Sequence, residues 1–234
     1  MNFFKTFLFL LILGLGPLKA GAGEGPVVVE LFTSQGCSTC PPADALLQEL
    51  AQRPDLIALA LHVDYWDYIG WKDTLGSGAF SLRQKGYAQA IHARTIYTPQ
   101  FMIAGRTPVG GAHREEIEAL VAEQKSLADS ARVDAVLGDD GIIRISASPL
   151  VRLQGPIVIE LVRYLPNVTV DITRGENKGH RFNYANVVTS WQTLGTWSGR
   201  GDLKVEAPYS GDEHGVIVFQ AANFGPILAA VRID

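Results

Sequence analysis

The sequence has 234 residues, of which 47% are hydrophobic and 19% charged, a composition typical of a soluble globular protein with a buried core. This length accommodates one large domain or two small ones. The formal net charge is −4 at pH 7, so a basic surface for nucleic acid or anionic lipid is not expected.

The first 22 residues are typical of a secretory signal peptide. Lys5 precedes an apolar run from Phe7 to Leu15, and small residues follow at Ala20 and Ala22. Cleavage after Ala22 is predicted, with cleavage after Ala20 as an alternative. We therefore expect a periplasmic or secreted protein without membrane contact after cleavage, and an uncleaved anchor is the alternative.

The stretch from residue 27 to residue 50 predicts a strand, a loop and a helix. Val27 to Phe32 is apolar and rich in β-branched residues, which favours a buried strand. The run Pro41 to Leu50 begins with two prolines, which suit the first turn of a helix. Cys37 and Cys40, the only cysteines, therefore lie at a helix N-terminus, where unpaired N–H groups and the macrodipole stabilise a thiolate.

A family resemblance begins at the same stretch, which reads Val-Glu-Leu-Phe-Thr-Ser-Gln-Gly-Cys-Ser-Thr-Cys-Pro-Pro-Ala-Asp over residues 29–44. It resembles the thioredoxin superfamily and, within it, a poorly characterised family of secreted bacterial thioredoxin-like proteins with a domain of unknown function. Gly-Glu-Asn-x-Gly at 175–179 and Asn-Val-Val at 186–188 extend the resemblance. It implies a thioredoxin-like fold and a redox-type site, but no known substrate.

Three interpretations of the cysteine pair stay open. In a thiol–disulfide oxidoreductase, Cys37 is the accessible nucleophile and Cys40 the resolving thiol. An inert bridge is the second, although closing a two-residue gap gives little entropic stabilisation. No cofactor is otherwise expected, but Cys37, Cys40 and His62 form an alternative copper or zinc site. The favoured interpretation of His62 is instead a histidine that is hydrogen-bonded to the aromatic loop that follows it.

That loop spans residues 64–73, directly after a second predicted strand at 56–63. Trp66 and Trp71 are candidate substrate-binding residues at an apolar rim, and the alternative is that the aromatic side chains pack against the core. Asp44, one turn after Cys40, is predicted to be an acid on the helix surface, with a buried proton relay as the alternative.

Thr98-Pro99 is the second motif of the first half. It follows a predicted helix at 81–93 and precedes a hairpin within residues 101–109. The resemblance implies that Pro99 is cis and sits against the dithiol, so Pro99 joins the catalytic candidates and Thr98 the substrate-binding ones. The alternative is an edge strand with a trans proline. A helix from His113 to about Leu127 completes this half.

Beyond Ser130 the pattern becomes extended and predicts seven or eight short strands, which indicate an antiparallel sandwich. A polar stretch at 174–181 is either a binding loop that faces the dithiol or a solvated hairpin. The predicted fold class is α/β, with a thioredoxin-like domain at 23–130 followed by an all-β sandwich-like domain at 131–234.

These patterns predict a thiol–disulfide oxidoreductase. Its partners would be a thiol- or disulfide-containing protein or small-thiol substrate, together with an unidentified redox partner. A copper- or zinc-binding protein without redox turnover is the alternative.

Overall fold

The structure is a computed structural model that describes residues 25–126 and 130–233. The predicted signal peptide at 1–22 and the predicted helix end at Leu127 lie outside these ranges. None of the helices in these ranges is long and apolar enough to cross a membrane.

Within the described residues the chain forms eleven strands and three helices, with far more residues in strands than in helices. In chain order they are β1 (Val27–Thr33), α1 (Pro41–Leu50), β2 (Leu56–His62), α2 (Gly78–Ala90), β3 (Gln100–Ile103), β4 (Thr107–Gly110), α3 (Arg114–Ser126), β5 (Ala131–Leu137), β6 (Ile142–Pro149), β7 (Ile157–Asp171), β8 (Arg181–Trp197), β9 (Leu203–Pro208), β10 (His214–Ala221) and β11 (Ile227–Arg232). A short 3-10 turn at Asp67–Ile69 lies in the aromatic loop.

The sheets correct the predicted fold class. Eight strands form one mixed sheet in the order β11-β10-β7-β8-β2-β1-β3-β4, and β5, β6 and β9 form a second sheet. The large sheet thus contains strands from both halves of the chain. The prediction of a thioredoxin-like α/β domain followed by an all-β sandwich-like domain was therefore wrong. The division at residue 130 stays a prediction.

The burial of β2 explains why the large sheet extends into the second half. Every residue of β2 is buried, as in a central strand that has a neighbour on each side. β1 pairs with β2 in parallel on one side, and β8 pairs with β2 in parallel on the other side, through Ala60 of β2 and Val187 of β8. The side chain of Asn186 strengthens this junction by donating a hydrogen bond of 2.8 Å to the carbonyl oxygen of Ala58.

Buried side chains form three clusters around the sheets. The first lies between β1–β3 and the helices α1 and α3, the second lies on the opposite face under α2, and the third lies between the three-stranded sheet and β7 and β10. β1 and β2 contribute alternate residues to the first two clusters, which is why both faces of these strands are apolar.

A buried ionic network joins α2 to strands from both halves. The guanidinium of Arg83 donates two hydrogen bonds to the carboxylate of Glu30, at 2.6 and 3.0 Å, and the hydroxyl of Tyr87 donates a third at 2.5 Å. Arg83 also donates to Gln220 of β10 and lies 3.5 Å from the ring centre of Trp191 of β8. Because these charges are buried and paired, they fix α2 against both halves.

Candidate functional site

The cysteine pair lies where the sequence predicted it, at the N-terminus of α1. Cys37 and Cys40 form a disulfide with their Cα atoms 5.4 Å apart. Cys40 caps the helix, and its carbonyl oxygen accepts hydrogen bonds from the backbone N–H groups of Ala43 and Asp44. Pro41 and Pro42 occupy the first two helical positions, where a missing N–H has no cost.

The disulfide is covered, which corrects the expectation that Cys37 is accessible. Cys37 is 2% exposed and Cys40 is 0% exposed, whereas Ser38 and Thr39 between them face solvent. The hydroxyl of Thr39 lies 3.5 Å from Sγ of Cys37. Both cysteines are therefore shielded from solvent.

The aromatic loop supplies part of the cover. Trp66 packs so closely on the disulfide loop that a Cβ added to Gly36 would lie 3.2 Å from Cβ of Trp66. The indole N–H of Trp66 donates to the hydroxyl of Thr98 at 2.7 Å, and that of Trp71 donates to Oε1 of Gln35 at 2.8 Å. Trp66 packs against the second core cluster, as the alternative interpretation of this loop predicted. The role of both tryptophans in substrate binding stays a prediction.

The peptide bond between Thr98 and Pro99 is cis, as the resemblance implied. Both residues are buried, and the indole of Trp66 connects Thr98 to the disulfide loop. The catalytic role of Pro99 and the substrate-binding role of Thr98 stay predictions.

The tip of the β7–β8 hairpin also packs against the disulfide loop. Asn177 is 7% exposed, and its amide nitrogen donates to the carbonyl oxygens of Gln35 at 2.9 Å and Cys37 at 3.0 Å. Gly175 approaches the aromatic loop so closely that an added Cβ would lie 2.9 Å from Cβ of Trp71. Of the two interpretations of residues 174–181, the structure supports the loop that faces the disulfide.

Buried polar side chains lie in the elements that flank the disulfide loop. Asp44 accepts a hydrogen bond of 2.7 Å from the hydroxyl of Thr33 and is 6% exposed, so it is not the surface acid that was favoured. Burial raises the pKa of Asp44 to about 7, against the opposing effects of the nearby His62 and of the hydrogen bond from Thr33. A carboxyl with this pKa both accepts and donates a proton near neutral pH.

His62 is paired with an acid of the aromatic loop. Its Nδ1 lies 2.8 Å from Oδ2 of Asp73, and both side chains are fully buried. Burial opposes the charge of Asp73, but the hydrogen bond and attraction from His62 outweigh it and lower the pKa of Asp73. The ring of Tyr184 meets His62 edge-on, with 4.6 Å between the ring centres. The interpretation of His62 as hydrogen-bonded to the aromatic loop is confirmed.

No group of three or more His, Cys, Asp or Glu side chains within the described ranges is arranged to hold a metal ion. His62 binds Asp73 through Nδ1, and both sulfurs are bonded to each other rather than free as thiolates. The copper or zinc alternative stays a prediction, and metal analysis of the reduced protein tests it.

Sequence reasoning missed the roles of three residues. Asp73 and Tyr184 gave no signal, since nothing in their spacing connects them to His62. Asn177 lay in the recognised Gly-Glu-Asn-x-Gly pattern, but its contact with Cys37 spans 140 residues of chain.

Comparison with known proteins supports the resemblance to a family with a domain of unknown function. Residues 28–220 match the family described as "Protein of unknown function (DUF1223)". The chain belongs to this family. No curated protein matches it.

A solved structure resembles this DUF1223 protein along most of its length. It is the crystal structure of protein AGR_C_4864 from Agrobacterium tumefaciens, a structural genomics target, with 31% sequence identity and a TM-score of 0.78. The match covers 90% of this chain and 95% of that one. Neither match confirms membership of the thioredoxin superfamily.

Proposed function

We propose that this DUF1223 protein is a thiol–disulfide oxidoreductase of the periplasm or the extracellular space, with Cys37 and Cys40 as its redox pair. The observation that carries the proposal is the disulfide at the start of α1 with the buried carboxyl of Asp44 one helical turn beyond Cys40. Helix N-terminal N–H groups favour a thiolate, and the carboxyl favours proton transfer near neutral pH.

The reaction exchanges two electrons between the protein and its substrate. A substrate thiolate attacks Sγ of Cys37, the Cys37–Cys40 bond breaks, and Cys40 leaves as a thiolate that takes a proton from Asp44. A second substrate thiol loses its proton to solvent and attacks the substrate sulfur of the mixed disulfide, which oxidises the substrate and releases Cys37 as a thiolate. The reverse sequence reduces a substrate disulfide, with Cys37 as nucleophile and Asp44 as the acceptor of the Cys40 proton.

The test is insulin reduction with dithiothreitol as electron donor, followed by turbidity. The wild type is expected to exceed the uncatalysed rate, and both Cys37→Ser and Cys40→Ser are expected to lose most of this activity. Ser38→Ala is a matched control, because Ser38 lies between the cysteines and is exposed. A wild-type rate equal to that of Cys37→Ser removes the proposal.

The burial of both sulfurs favours a second candidate, in which the disulfide only holds the loop before α1. A disulfide of this kind resists a glutathione buffer and its removal alters no activity. Equilibration of the protein with glutathione mixtures, followed by alkylation and mass measurement, separates the two candidates. A pair that interconverts within the range of glutathione potentials supports the oxidoreductase.

A further inference from the structure

The proposed reaction needs a substrate sulfur to reach Cys37, and the β7–β8 tip lies beside that residue. We define the tip as residues 172–180. Ile172 and Asn177 are its buried members, and its other residues are exposed. Asn177 is therefore the attachment of the tip to the disulfide loop, and its two hydrogen bonds are the contacts that an opening must break.

The chemistry of this attachment indicates what replaces it. The side chain of Asn177 ends in a carboxamide, which has the donor chemistry of a main-chain amide. Its acceptors, the carbonyl oxygens of Gln35 and Cys37, are buried main-chain groups two residues apart, and the main-chain N–H groups of a polypeptide have the donor chemistry to replace the carboxamide on them. Buried carbonyl groups left without a donor are unfavourable, so a displacing ligand must supply N–H groups of its own.

We propose that the tip is a displaceable cover of the disulfide and that the disulfide site takes polypeptide substrates, an inference that rests on the proposed function. The main-chain N–H groups of the substrate replace the Asn177 amide on the carbonyl oxygens of Gln35 and Cys37. A small thiol lacks such a chain and reaches Cys37 only when the tip opens spontaneously. The tip thereby favours protein thiols and disulfides over small ones.

Two substitutions open the tip by different means. Asn177→Ala removes both hydrogen bonds. Gly175→Ala keeps the Asn177 side chain but places a Cβ 2.9 Å from Cβ of Trp71, so the tip must shift away from the aromatic loop. Gly179→Ala is the matched control, because Gly179 has a similar positive φ of 86° against 75° for Gly175, but an added Cβ meets nothing within 4 Å.

The first measurement is the rate at which dithiothreitol reduces the Cys37–Cys40 disulfide, read by alkylation and mass. We expect Asn177→Ala and Gly175→Ala to react roughly tenfold faster than the wild type, a factor that corresponds in Asn177→Ala to the loss of two hydrogen bonds worth about threefold each. Gly179→Ala is expected to react at the wild-type rate. Far-UV circular dichroism establishes that each variant is folded. Equal rates of disulfide reduction in the wild type and the three variants would show that the tip does not limit access to the disulfide.

The second measurement is the KM for insulin, which we expect to fall severalfold in Asn177→Ala because the substrate no longer competes with the side-chain amide. Faster reduction by dithiothreitol with an unchanged KM for insulin overturns the docking of a polypeptide main chain. If the dithiothreitol rates are as expected but no protein, wild type or variant, reduces insulin, the proposed function and the polypeptide substrate are both refuted. The tip would then still be a displaceable cover of the disulfide. The two failures are therefore distinguishable.

Discussion

Replacing Asp44 with asparagine changes the buried carboxyl one helical turn after Cys40 into a neutral group of the same shape. Burial raises the pKa of this carboxyl from its ordinary value of 3.8 to about 7. Between these pH values the unfolded chain loses the proton while the folded protein keeps it. The free energy of unfolding of the wild type therefore falls as pH rises from about 4 to about 7.

The magnitude follows from the size of the shift. A change in pKa from 3.8 to about 7 corresponds to about 4 kcal/mol at about 1.4 kcal/mol per pKa unit, which is an upper limit. Below pH 4 both states are protonated and the effect is absent. The Asp44→Asn variant lacks this pH dependence, and its amide oxygen accepts the hydrogen bond from Thr33 as the carboxyl does.

Urea unfolding without reductant, at pH 4, 6 and 8, measures the difference. At pH 4 we expect Asp44→Asn and the wild type to be about equally stable. At pH 8 the variant should be more stable by as much as about 4 kcal/mol. A variant that is less stable than the wild type at pH 8 refutes the reasoning, because it would mean that His62 and Thr33 stabilise a charged Asp44.

Three further substitutions test other charges and contacts. Asp55→Asn should lower the free energy of unfolding at pH 7, the opposite of Asp44→Asn, because hydrogen bonds from a neighbouring arginine and lysine hold the pKa of Asp55 below its usual range. The loss should be less than about 1 kcal/mol at pH 7, and no difference from the wild type should remain in strong acid. Arg83→Met leaves the buried carboxylate of Glu30 without its cation and should lower the free energy of unfolding by about 3–5 kcal/mol. An unchanged urea midpoint would show that the buried ionic network does not stabilise the fold. Trp66→Phe keeps an aromatic ring but loses the bond to Thr98 and should cost about 1 kcal/mol, whereas no loss would mean that solvent replaces that bond.

Local features near the disulfide were predictable because adjacent residues determine them. The two prolines after Cys40 set the start of α1, and the apolar run before the loop set β1. The helices predicted at 81–93 and 113–127 were found at Gly78–Ala90 and Arg114–Ser126. The cis bond before Pro99 followed from the resemblance rather than from any property of its neighbours.

The sheet and the cover were not predictable because they depend on contacts between distant residues. The apolar pattern of β2 indicates a central strand, but nothing in it identifies β8 as its neighbour, and the backbones of the two strands pair only at Ala60 and Val187. The same holds for Asn177, whose spacing from Cys37 carries no signal. Asp44 was correctly predicted to lie in the first turn of α1, but it was predicted on the exposed face of the helix and is buried. Its distance of one turn from Cys40 does not distinguish a side chain that packs against the sheet from one that faces solvent.

The Asp44→Asn variant also separates a redox site from a structural disulfide. A disulfide that only holds a loop needs no buried carboxyl one helical turn beyond it, and the raised pKa of Asp44 indicates that this carboxyl lowers stability at neutral pH. If the pair exchanges electrons with substrates, the variant should be more stable at pH 8 but slower in insulin reduction by about a hundredfold, the lower end of the range for a lost proton-transfer group. The loss should be smaller at high pH, where the Cys40 thiol ionises without help. A variant that is more stable and equally active would show that Asp44 does not transfer a proton, and the oxidoreductase would then depend on the cysteines alone.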